Sequence, residues 1–255
     1  MTRRCKLFVF FLIITLATVI MTGNKPALCA EGGQMQQMQG RQPQQAQAPQ
    51  PAAQVSQAKP VMIDDFETGA ITNSLGGKTN VFVKAPSKAM VSFRKDTRNG
   101  KPTNVLMIRY EKKAEGGPYD LGGWCGYYTL LKKSHPSASL EGAGPAEIEE
   151  DIYFDASQHK AITMWVKGDK GNENFVLGVA DAHWDKVGDS VKSQEIGKYL
   201  PVGKITTEWQ KAVVSLDEFF IDYSKLSSVS IAFDSDCFPE GSGSGKVYID
   251  DITLE

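Results

Sequence analysis

Residues 61–255 carry one recurring pattern: apolar runs of strand length, rich in β-branched and aromatic residues, separated by Gly, Asn, Asp and Pro. The runs are VMIDDFE (61–67), NVLMIRY (104–110), WCGYYTLL (124–131), AITMWVKG (161–168), NFVLGVAD (174–181), WQKAVVSL (209–216), SVSIAFD (228–234) and KVYIDDITLE (246–255). Short runs of this kind between turn residues read as strands. In SVSIAFD, Val229, Ile231 and Phe233 fall on one face and Ser230, Ala232 and Asp234 on the other, the alternation of a half-buried strand. No stretch sustains an apolar 3.6-residue period, and the best helical candidate is a short turn at residues 216–220. Many strands without a long helix specify an all-β class, a jelly-roll β-sandwich. No internal repeat is present.

The preceding sixty residues cannot join such a core. Arg3, Arg4 and Lys6 precede an uncharged apolar run of fifteen residues at 7–21, and small residues follow in PALCA. This is the anatomy of a signal peptide over residues 1–30, cleaved after Ala30. The alternative is an uncleaved N-terminal anchor, although a membrane span needs about 20 apolar residues. Cys29 follows the bulky Leu28, which argues against lipidation there. Residues 31–60 are dominated by Gln, Ala and Pro, with no aromatic residue. Such a segment buries too little apolar surface to offset its ordering entropy. It reads as a disordered linker, a tether to a membrane or wall or a plain spacer. The expected location is outside the cytoplasm, secreted or periplasmic.

Charge narrows the partners. The net charge is -2, and Lys and Arg are scattered among Asp and Glu. No basic surplus marks a phosphate backbone as partner, so nucleic acid is excluded as an expectation. Cys125 and Cys237 are the cysteines of the domain. Export permits a disulfide between them, and two buried thiols are the favoured alternative. No CxxC or Cys/His spacing suggests zinc.

Four segments taken in order resemble a known family: IDDFE (63–67), AITMWVKGD (161–169), ITTEWQKAVVSLDEFF (205–220) and VYIDDITLE (247–255). Together they are similar to the galactose-binding-like jelly rolls, and most closely to family 11 carbohydrate-binding modules. The resemblance implies two facing β-sheets, one of them concave and taking a sugar chain, and a structural calcium at a sheet edge. The partner it implies is a polysaccharide or oligosaccharide, held without being cleaved.

Two groups of residues fit that expectation chemically. Asp64, Asp65 and Glu67 lie in the first run and Asp250 and Asp251 in the last. Ca²⁺ takes 6 to 8 oxygens, about 2.3–2.6 Å away, from carboxylates and carbonyls. Strand alternation would put Asp65 and Glu67 on one side, so Asp65, Glu67 and Asp250 are the candidate ligands. The alternative is a set of charges that blunt sheet edges. For the sugar, a flat ring buries a C–H face while polar neighbours bond the hydroxyls. Trp124, Tyr127 and Tyr128 in GGWCGYY, and Asp181, His183 and Trp184 in DAHWD, supply such groups. Phe175, Leu177 and Val179 alternate inward, and their face would continue to Asp181 and His183. Core packing is the alternative for any of the aromatics, and Trp165 and Trp209 are assigned to it.

No GxSxG, HExxH or Cys/His nucleophile motif appears, so an enzyme is not expected. His135 and His159 read as surface residues. An envelope-associated structural or assembly protein, or a glycan-active enzyme on the same fold, is the alternative to binding.

Overall fold

The computed structural model describes residues 58–116, 122–133 and 151–255. The export segment, all but the last three residues of the linker, and His135 lie outside the described residues. What is described falls within one compact unit, Ala53–Glu255.

Side chains alternating between core and solvent build two antiparallel sheets. The larger, of six strands, runs β3 (Lys88–Arg98), β4 (Lys101–Lys112), β11 (Gly243–Leu254), β6 (Ala161–Gly168), β9 (Gln210–Ser215), with β1 (Val61–Asp64) also paired to β11. The smaller, of five strands, runs β2 (Thr79–Val83), β5 (Cys125–Leu130), β10 (Leu226–Phe233), β7 (Val176–Asp181), β8 (Val191–Glu195). One short helix, α1 (Ala182–Val187), follows β7.

The sheets meet through their alternating inward residues. Leu106, Ile108, Met164, Val166, Val247 and Ile249 come from the larger sheet, and Leu177, Val179, Val229, Ile231 and Phe233 from the smaller. Tyr110 of β4 stacks on Phe233 of β10, with ring centroids 3.8 Å apart and 11° between planes. Full burial of one such side chain stabilises by about 1.5–3 kcal/mol. This is the all-β sandwich expected from the strand pattern.

Several local expectations are corrected. β1 ends at Asp64 because the Asp64 Oδ1 accepts a hydrogen bond from Phe66 N at 3.0 Å and Phe66 turns to φ 56°. The turn drives Phe66 into the core at 1 % exposure. Asp65 and Glu67 are therefore not alternate residues of one strand. The run at 174–181 does not carry on to His183, because α1 intervenes. Trp165 lies between the core residues Met164 and Val166 and stands on the outer face of the larger sheet, half-buried, and Trp209 is also half-buried. Tyr127, by contrast, is a core residue. His159 is only 9 % exposed and lies against Phe154, so it is not a surface residue.

Cys125 and Cys237 are free, buried thiols. Cys125 belongs to the main core and Cys237 to a second apolar cluster with Val176 and Ala232. Burial pushes the Cys125 thiol up to about 11 and the Cys237 thiol up to about 12. The 216–220 turn is a 3₁₀ turn at Leu216–Glu218.

Candidate functional site

The outer face of the smaller sheet gathers two of the expected sugar contacts. Cys125 and Tyr127 point into the core, so Trp124, Gly126 and Tyr128 face outward by alternation. Trp124 and Tyr128 are both half-buried, and four residues of strand separate them by about 13 Å. Phe82 of β2 is in register with Gly126. A Cβ on Gly126 would meet Phe82 Cζ at 2.5 Å, so the Phe82 ring covers the glycine. The three rings form a row, Trp124, Phe82, Tyr128. Lys84 stands beside the first, its Nζ 5.6 Å from the Trp124 ring centre.

Beside that row the side chains are small. Ser230 pairs with Tyr128 on one side and with Gly178 on the other, and Ala232 pairs with Gly126 and Val176. A Cβ on Gly178 would lie 2.4 Å from Ser230 Oγ and 2.5 Å from Ser190 Oγ. Ala232 is covered by the apolar cluster of Val176, Cys237 and Phe82, so the floor beside the rings is Gly178 and Ser230, flanked by the Ser190 hydroxyl. An apolar wall with convergent hydrogen-bonding groups is what a ring with a C–H face and a rim of hydroxyls requires.

The DAHWD residues do something different. Asp181 is the N-cap of α1: its Oδ1 accepts from His183 N at 2.9 Å and Trp184 N at 3.0 Å, and its Oδ2 accepts from Asp222 N at 2.7 Å. Burial alone would raise this carboxyl, but the three backbone donors outweigh it and hold it below the usual range. Both oxygens serve the fold. His183 is exposed, and its ring meets the Trp184 ring edge-on at 5.6 Å. Asp185, the next residue, accepts from Lys132 Nζ at 2.6 Å and Tyr153 OH at 3.4 Å, which ties α1 to the segment after β5. Trp184 and His183 thus sit at the end of the sheet where β7 finishes, away from the Trp124 end of β5.

The model of the family described as carbohydrate binding domain 30 matches residues 84–255. The chain belongs to this family. Carbohydrate binding is accordingly the function of this family 30 domain. Among solved structures it is similar to the family 11 carbohydrate-binding module of a cellulosomal cellulase of Clostridium thermocellum, at 15% identity over 78% of this chain and 95% of that one, with a TM-score of 0.49. It is also similar to that organism's family 11 module in complex with a β-1,3-1,4-mixed-linked tetrasaccharide, at 15% identity, 76% and 94% coverage and a TM-score of 0.48. A family 30 module of a cellulosomal cellulase of Clostridium thermocellum matches at 18% identity, 78% and 98% coverage and a TM-score of 0.47. No protein of curated function matches.

The acids expected to hold calcium in this family 30 domain are arranged around an arginine. Arg98 Nε donates to Asp250 Oδ2 at 2.9 Å, and its Nη2 pairs with Asp251 Oδ2. Asp251 adopts φ 48°, and that left-handed turn lets two successive strand residues reach one guanidinium. The Thr103 hydroxyl lies 2.7 Å from Glu67 Oε1 and 3.1 Å from Asp250 Oδ2. Asp65 stays apart, its Oδ1 accepting from Glu67 N at 3.2 Å. Among the described residues no group of three or more His, Cys, Asp or Glu is placed to hold a metal. As they stand, Asp65, Glu67 and Asp250 do not fit a calcium ion, and Arg98 supplies the positive charge beside Asp250.

Proposed function

We propose that this domain holds a polysaccharide or oligosaccharide on the outer face of the smaller sheet and does not cleave it. The observation that carries the reading is the row Trp124, Phe82, Tyr128 beside a floor of small, hydroxyl-bearing residues. Non-catalytic binding is supported by the state of the nearby carboxylates. Glycosidases flank the scissile bond with two acids about 5–5.5 Å or 6.5–9.5 Å apart. Here Asp181 is spent on backbone donors, Asp185 on Lys132, and Asp234 on Lys192 at 2.6 Å. The export segment and linker of residues 1–60 belong to the same proposal: they would place the domain outside the cytoplasm, where polysaccharides are met, with the N-terminus as a membrane tether if it is retained.

A glycan array on the purified chain selects the ligand, and the mixed-linked β-glucan tetrasaccharide is a first probe. Trp124→Ala and Tyr128→Ala should each weaken binding by about one to two decades, on the order of 1–3 kcal/mol. Melting temperatures should stay near wild type, because neither ring is in the core. Incubation with the selected glycan should release no new reducing ends. Wild-type affinity in both variants would reject the aromatic row, and released reducing ends would reject the non-catalytic reading.

A further inference from the structure

The opposite side of the sandwich, the outer face of the larger sheet, carries a hollow of about 650 Å³. Arg94, Lys95, Arg109, Lys167 and Lys246 line it against only two acids, Asp96 and Asp169. Both acids are already paired, Asp96 with Lys167 and Asp169 with Lys246. Among the described residues Arg94, Lys95 and Arg109 enter no ion pair. Arg109 stands directly across from Lys246 in the β4–β11 register, and like charges in that position repel. The concentration is local, since the whole chain has a net charge of -2. The hollow also has apolar lining: Tyr248 and Met107 are cross-strand neighbours.

We propose that this hollow is a second glycan site, selective for an acidic polysaccharide whose sugar units carry carboxylate or sulfate. Arg94 and Arg109 take the anion, since a guanidinium presents a planar fork that matches such groups. Tyr248 and Met107 lie against the sugar ring. A ligand of this kind offsets the repulsion between Arg109 and Lys246. The two faces then hold two chains of different charge, one neutral and one acidic, on opposite sides of one sandwich.

Affinity electrophoresis of the full chain through gels containing polygalacturonate or dextran sulfate tests the site. Wild type should be retarded in at least one polymer, and added NaCl should weaken the effect through screening. Arg94→Ala/Arg109→Ala should lose at least ten-fold in affinity, and Tyr248→Ala should lose several-fold. The double variant should bind the neutral glycan selected by the array as wild type does, because these arginines are not on the smaller sheet. Retardation by polygalacturonate alone assigns the anion as carboxylate, and by dextran sulfate alone as sulfate. Free passage of wild type through both gels overturns the site. So does undiminished retardation of the double variant, or equal affinity for double-stranded DNA, which would reduce the effect to charge without a saccharide.

Discussion

Asp64 and Asp250 are carboxylates taken out of water and held by different means. Burial pushes Asp64 up to about 6 and the neighbouring Asp65 adds to this, while the Phe66 N–H opposes it. A group raised in the folded state contributes stability below its unfolded value, near 4, and loses it as pH rises through about 6. Asp64→Asn keeps an oxygen for Phe66 N and removes the charge. Between pH 4 and pH 6.5 the wild type should therefore lose on the order of 2 kcal/mol relative to this variant, as measured by urea unfolding at the two pH values. Parallel pH profiles would show that Asp64 does not titrate in this window. Asp250, 0 % exposed, is also raised to about 6 by burial and by Asp251, but Arg98 draws it back. Removing one partner of a buried pair typically costs 3–5 kcal/mol, so Arg98→Met should destabilise by about 3 kcal/mol or more. Chelator should leave the wild-type melting temperature unchanged, because a guanidinium already stands beside Asp250. A fall in melting temperature with chelator, restored by Ca²⁺, would return the acids to a metal.

At the scale of elements, β7 leaves space beside the ring row where a side chain would otherwise stand. Gly178 faces the trough between the Ser230 and Ser190 hydroxyls. Gly178→Val would fill the floor and displace both, and the neutral glycan should then bind at least ten-fold more weakly; calorimetry that finds wild-type affinity in a folded variant would move the ligand elsewhere. The strands legible in the sequence were those with one strongly apolar face: β6 coincides with its run at 161–168, and β4, β9, β10 and β11 differ from theirs by one to three residues at each end. β2, β3 and β8 were not legible. β8, VKSQE, offers one large apolar residue, and β3 ends in RKDTR on a sheet edge, where Arg94, Lys95 and Thr97 are exposed and no apolar residue marks a face. α1 was missed although Asp181 before it and Gly188 after it are cap residues, a start and stop signal that the strand alternation obscured. The site followed the same logic. Trp124 stood out beside Gly122 and Gly123, and the outward placement of Trp124 and Tyr128 follows from strand alternation, whereas the position of Phe82 over Gly126 depends on the β2–β5 register and has no signal in the sequence. Trp165 looked like a core residue because its neighbours are apolar. In a strand, the face is set by alternation and not by the company a residue keeps.

At the scale of the molecule, the sandwich separates two surfaces by its apolar core, and Tyr110 stacked on Phe233 is one of the bridges across it. The smaller sheet offers rings and hydroxyls, whereas the rings of the larger sheet lie under its cations, Arg98 4.9 Å from the Trp165 ring centre and Lys167 5.0 Å from that of Tyr248. The face proposed for a neutral glycan is that of the smaller sheet. Amide NMR titration with the neutral glycan selected by the array tests this most directly, because it reports the face without mutation. Signals of Gly126, Tyr128, Gly178 and Ser230 should shift saturably, while those of Arg109, Trp165 and Tyr248 stay in place. Shifts confined to the larger sheet, with the Gly126–Ser230 group unmoved, would contradict the assignment of the binding face.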